Sequence, residues 1–151
     1  MLYERLLKEC ETNNIKVYEA KSKIKGLYSD GIIMISKNIN TFAEKACILA
    51  EEIGHHLTSA GDILDQSKLE NRKQEKIARN KAYEMLVTIE KVIEAYKIGC
   101  RNRFELAEFL EVTEEFLEEA LQHYKEKYGL YYKINNYIVY FEPLVVFESF
   151  N

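Results

Sequence analysis

Thr41 stands three residues before Glu44, and from there to Gly54 the chain has no glycine and no proline. A threonine followed at that spacing by glutamate is a capping box, in which each side chain satisfies a backbone N–H that the first helical turn leaves open. The spacing predicts a helix from about Phe42 to Leu57, with Phe42, Ala46, Leu49, Ile53 and Leu57 along one apolar face. A second stretch without glycine or proline, Leu69 to Val87, is dense in Glu, Lys, Arg, Ala and Leu and predicts another long helix. Between them Thr58-Ser59-Ala60-Gly61-Asp62 is rich in turn residues, and an irregular loop to about Ser67 is expected.

The flanks add strands and shorter helices. Leu2, Tyr3, Leu6 and Leu7 have helical spacing up to a stop at Asn13-Asn14. The β-branched and aromatic runs Ile15–Tyr18 and Gly31–Ser36, separated by Gly26 and Ser29-Asp30-Gly31, predict a small antiparallel sheet. Thr88, Asn102 and Thr113 are placed to cap three further helices, the first ending at Gly99. Past Gly129, Tyr131–Ile134 and Tyr137–Phe141 flank Asn135-Asn136 as a hairpin that Pro143, the only proline, ends. The fold class is α+β: a zincin-like small sheet with a helix pair, then a helical pair and a C-terminal β-hairpin. Residues 1–99 form the first region and residues 100–151 the second, packed as part of one domain.

With 151 residues, 47% of them hydrophobic and 30% charged, the chain has enough apolar surface for a core. A formal net charge of -4 gives no general attraction to nucleic acid or anionic membranes. No apolar run is long enough to span a bilayer and no signal peptide is present, so a cytoplasmic protein is expected. Cys10, Cys47 and Cys100 are odd in number and in no CxxC pattern, which fits reduced thiols. Cys47 lies eight residues before His55, roughly 12 Å along a helix and too far to act with it as a nucleophile pair.

The first long helix carries Glu51-Glu52-Ile53-Gly54-His55-His56. Residues four apart on a helix lie one above the other, so Glu51 and His55 are placed to hold one ion with Glu52 beside them. That is HExxH with glutamate in place of the first histidine. In such a motif two side chains hold zinc and the intervening glutamate takes a proton from the water that attacks a carbonyl. A carboxylate ligand adds negative charge and makes the ion a weaker Lewis acid. In a second register Glu52 and His56 are the ligands, which leaves Ile53 where a base is needed and accounts for binding alone. In the plainest alternative, both Glu–His pairs are surface electrostatics worth a few tenths of a kcal/mol each, roughly. A third zinc ligand has to come from elsewhere. Glu75 is the foremost candidate, since the small residues Ala78 and Ala82 follow it and permit close approach. Asp62, Asp65, Glu70 and Glu84 compete with it.

Leu49–His56, the Thr58–Asp62 turn and Glu75-Lys76-Ile77-Ala78-Arg79-Asn80-Lys81-Ala82-Tyr83-Glu84 resemble, in the same order, the helix pair of ImmA/IrrE-type metallopeptidases of phages and mobile elements. The resemblance covers roughly the first two-thirds of the chain. It implies Glu51, His55 and Glu75 as zinc ligands and Glu52 as catalytic base, with Glu51 departing from the family's histidine. It also implies a selective endopeptidase that acts on a repressor, a regulatory DNA-binding protein encoded beside it. A noncatalytic repressor-binding protein with the same fold, or a toxin–antitoxin partner, are the alternatives. Gly31–Ser36 is read first as an ordinary core strand, with an edge able to pair with an extended substrate as the alternative.

Leu106–Leu117 also resembles the core of a helix-turn-helix, but Glu105, Glu108, Glu111, Glu114, Glu115, Glu118 and Glu119 crowd it. Carboxylates repel phosphates, which argues against a DNA reader and favours a packed helical pair with a solvated acidic face; docking of that face on a basic repressor surface is the further hypothesis. The hairpin tyrosines, with Lys133 almost the only base among them, are expected in core and rim packing instead of stacking on nucleic acid.

Overall fold

The computed structural model describes residues 1–58 and 68–150, which fall into two compact units, Met1–Met85 and Leu86–Asn151. The expected turn at Ser59–Asp62, the loop to Ser67, and Asp62 and Asp65 lie outside the described residues, as does the side chain of Glu70.

In the first unit α1 (Leu2–Thr12) buries Leu2, Tyr3, Leu6 and Cys10. It stops where the sequence indicates: Asn14 takes a left-handed φ of 59°, which asparagine tolerates better than most residues. The Ile15 N–H then donates back to the Cys10 carbonyl at 2.8 Å. The sheet contains β1 (Lys16–Ala20), β2 (Gly26–Ser29) and β3 (Ile32–Ser36) in the order β1-β3-β2. Gly26 is therefore the first residue of an additional strand as well as a point of punctuation. Because the chain runs out along β2 before returning as β3, β3 pairs antiparallel with β2 but parallel with β1, and the sheet is mixed. β3 is the central strand, with Ile33 and Ile35 fully buried, so Gly31–Ser36 has no free edge to offer a substrate.

Helix α2 (Phe42–Thr58) begins as the capping box requires, Thr41 Oγ1 accepting from the Glu44 N–H at 3.1 Å. Ala46, Leu49, Ala50 and Ile53 are buried, whereas Phe42 and Leu57 at its ends are 57% and 55% exposed. A 17-residue helix is about 25 Å long and a five-residue strand only about 17 Å, so the ends overhang the sheet. Helix α3 (Lys68–Leu86) buries Ala78 and Ala82 completely.

The second unit holds α4 (Ile89–Lys97), α5 (Arg103–Leu110), α6 (Glu114–Tyr128) and the strands β4 (Tyr131–Ile134), β5 (Tyr137–Phe141) and β6 (Leu144–Glu148). All three expected caps form: Thr88 accepts from Lys91 N–H at 3.1 Å, Asn102 from Glu105 N–H at 2.9 Å and Thr113 from Phe116 N–H at 3.0 Å. The hairpin turns at Asn135, whose φ is 52°. Pro143 does not end the sheet, because β6 continues antiparallel to β5 beyond it. Val139 and Phe141 of β5 are buried with Leu117, Leu121 and Tyr124 of α6, and the Tyr124 hydroxyl donates to the Val87 carbonyl at 2.7 Å. Glu108, Glu111, Glu114, Glu115, Glu118 and Glu119 are exposed on α5 and α6 and in the link between them.

Candidate active site

Two glycines set the geometry of the site. Gly54 is buried in α2 where a Cβ would lie 2.2 Å from the Ala78 carbonyl oxygen. Only a glycine lets α2 and α3 meet backbone to backbone, and that contact fixes the neighbouring turns. His55 follows Gly54, Glu75 lies one turn before Ala78, and His55 Nε2 sits 3.0 Å from Glu75 Oε2. The second Glu75 oxygen is 3.6 Å from Arg79 Nε, one turn further along α3.

On the sheet side, a Cβ at Gly26 would lie 2.6 Å from Ile48 Cγ2 and 3.0 Å from Glu52 Oε2. β2 thus packs directly against the Glu52 carboxyl, leaving Glu52 only 9% exposed. Burial, reinforced by the charges of Glu51 and Glu75, pushes this carboxyl up to about 7. Ionising an acid away from water costs free energy, and two nearby carboxylates raise that cost. The result is a group that holds or releases a proton near neutrality, as a general base and acid must.

One turn beyond Glu52, His56 also faces β2. The Tyr28 hydroxyl accepts a hydrogen bond from the Gly31 N–H at 3.1 Å and shares a second with His56 Nδ1, 2.8 Å away. Glu52 and His56 are therefore both turned toward the sheet, while His55 is the histidine that meets Glu75. Neither Gly26 nor Tyr28 was identified from sequence as part of the site. A glycine at the head of a strand, marking close backbone approach, is the signal that points to the former.

Zinc ligands about 2.0–2.2 Å from the ion at tetrahedral angles stand roughly 3.3–3.6 Å apart. The spacing of His55 Nε2 and Glu75 Oε2 is within a few tenths of an ångström of that, and an imidazole with a carboxylate suits zinc. Glu51, the expected third ligand, is half-buried on α2 and acts electrostatically on Glu52. Among the described residues no group of three or more His, Cys, Asp or Glu side chains is arranged to hold a metal ion. Of the competitors for the third position, Glu84 is nine residues past Glu75 on α3, roughly 13 Å along the axis.

The site thus brings together an imidazole–carboxylate pair across two helices and a buried carboxyl shifted toward neutrality. The model of the peptidase M78 family, described as the IrrE N-terminal-like domain, matches residues 10–122, and the chain belongs to that family. No curated protein and no solved structure matches it. No described helix is long and apolar enough to cross a membrane.

Proposed function

We propose that the protein is a zinc-dependent endopeptidase that cleaves a phage or mobile-element repressor, with His55, Glu75 and Glu51 holding the ion and Glu52 as the catalytic base. The observation that carries this reading is the 3.0 Å approach of His55 Nε2 to Glu75 Oε2, one helical turn from the buried Glu52. When bound, zinc polarises a carbonyl and acidifies water. Glu52 takes a proton from the attacking water and passes it to the departing amine, a role matched by its shift toward neutrality. Its burial against Gly26 keeps it in one position for both transfers. β2 is an edge strand of the sheet and its first residue, Gly26, lies against Glu52, which supports it as the strand for an extended peptide to pair with.

A second reading, a noncatalytic protein that retains the fold and sequesters the repressor, is favoured by Glu51 in place of a histidine and by the lack of a three-ligand group among the described residues. Metal content and cleavage separate the two. The peptidase reading expects close to one zinc per chain by mass spectrometry, lost in His55→Gln and Glu75→Gln, and cleavage of an adjacently encoded repressor that Glu52→Gln abolishes. Metal-free protein that leaves the repressor uncut would leave the binding reading, and full activity in Glu52→Gln would overturn Glu52 as the base.

A further inference from the structure

The second unit contains a cavity of about 320 Å³ whose floor is formed by Val92 and Ala95 of α4, Leu106 of α5, and Leu144 and Val146 of β6. Val92, Ala95 and Leu106 are buried, so the floor belongs to the core of the unit. The volume is at the small end of the roughly 300–1,000 Å³ typical of ligand pockets. At the ~30 Å³ that one water-sized group occupies in a liquid, it takes roughly ten non-hydrogen atoms.

The mouth has a different character. It is lined by Arg101, Asn102 and Arg103, and these three have different commitments. Arg103 is ion-paired with Glu118, and the Asn102 side chain is occupied in capping α5. Glu105 accepts from the Arg101 backbone N–H at 2.9 Å. The Arg101 guanidinium has no hydrogen-bond or ion-pair partner among the described residues. The cavity therefore joins an apolar floor to one uncommitted planar cation, a group suited to bind a carboxylate through two parallel hydrogen bonds.

We propose that this cavity binds a small apolar carboxylate, its hydrocarbon part on the Val92–Leu106–Val146 floor and its carboxylate at Arg101. The site lies wholly within the second unit and is independent of the Glu52–His55–Glu75 chemistry.

The lining also supplies a reporter. Cys100 faces the cavity and is part-exposed, whereas Cys10 and Cys47 are buried. Octanoate, with ten non-hydrogen atoms, is the probe. In the full chain it should slow modification of Cys100 by an aromatic disulfide reagent at least fivefold in a saturable way, Cys100→Ser identifying the signal. Octanol should require about tenfold higher concentration for the same protection, because it lacks the charge. Arg101→Gln should remove that difference between the two probes. Val146→Phe or Leu144→Phe, whichever retains the wild-type circular dichroism, should abolish protection by filling the floor. Protection by octanol equal to that by octanoate in the wild type, or no protection by octanoate at millimolar concentration, would overturn the proposal without touching the peptidase reading. Protection that persists in a folded floor variant would do the same.

Discussion

Replacing Glu52 by glutamine should make the metal-free protein more stable at alkaline pH and leave it without peptidase activity. The carboxyl is raised from 4.5 to about 7, first by burial and then by Glu51 and Glu75. A group whose folded pKa lies above its unfolded value contributes stability fully present below about 4.5 and lost as pH rises through about 7, since the unfolded chain gives up the proton first. A shift of roughly 2.5 units corresponds to about 3 kcal/mol in full, of which some 2.5 kcal/mol falls between pH 5 and pH 8.5. Glutamine keeps the shape and carries no charge at either pH. Urea denaturation of chelator-treated wild type and Glu52→Gln at the two pH values isolates the effect, because every other titrating group is common to both proteins. The advantage of Glu52→Gln should grow by about 2.5 kcal/mol from pH 5 to pH 8.5, roughly a quarter of the 5–15 kcal/mol typical of a whole domain. Parallel stability–pH curves would refute the argument, because they would mean that the Glu52 charge is solvated in the folded state.

Gly54→Ala should cost several kcal/mol in the same assay and lower zinc content, since a Cβ placed 2.2 Å from the Ala78 carbonyl forces α2 from α3 and overpacking alone costs about 1–3 kcal/mol. Tyr28→Phe removes the hydroxyl 2.8 Å from His56 Nδ1 and should leave zinc content unchanged while shifting the Nδ1 resonance of that ring in nitrogen-15 NMR. Thr113→Ala removes the acceptor at 3.0 Å from the Phe116 N–H and should destabilise the second unit by about 1 kcal/mol, measured as a lower urea midpoint with zinc content unaffected.

Local chemistry is what made most of the elements legible. A threonine or asparagine oxygen that accepts from the N–H three residues on, or an asparagine able to adopt positive φ, acts within one turn of chain, so Thr41, Thr88, Asn102, Thr113 and Asn14 all carry their meaning in the sequence. The two long helices followed from the same logic, and the i, i+4 rule put His55 with Glu51 and His56 with Glu52 on paper. β2 escaped notice because it has only four residues and begins at a glycine normally taken for a turn. β6 is hidden in the sequence because a lone proline after a strand marks a stop as readily as a turn.

The sequence by itself determined the capped helices, the hairpin at Asn135 and the run of carboxylate and imidazole groups on α2, since each depends on neighbours within a few residues. Only the tertiary structure decided which face of that helix meets what. The Gly54–Ala78 contact brings Glu75 to His55, and the Gly26 strand seals Glu52 from water while Tyr28 takes up His56. Those pairings join residues 20 or more apart in the chain, where no local spacing constrains them and packing of backbone against backbone selects the register.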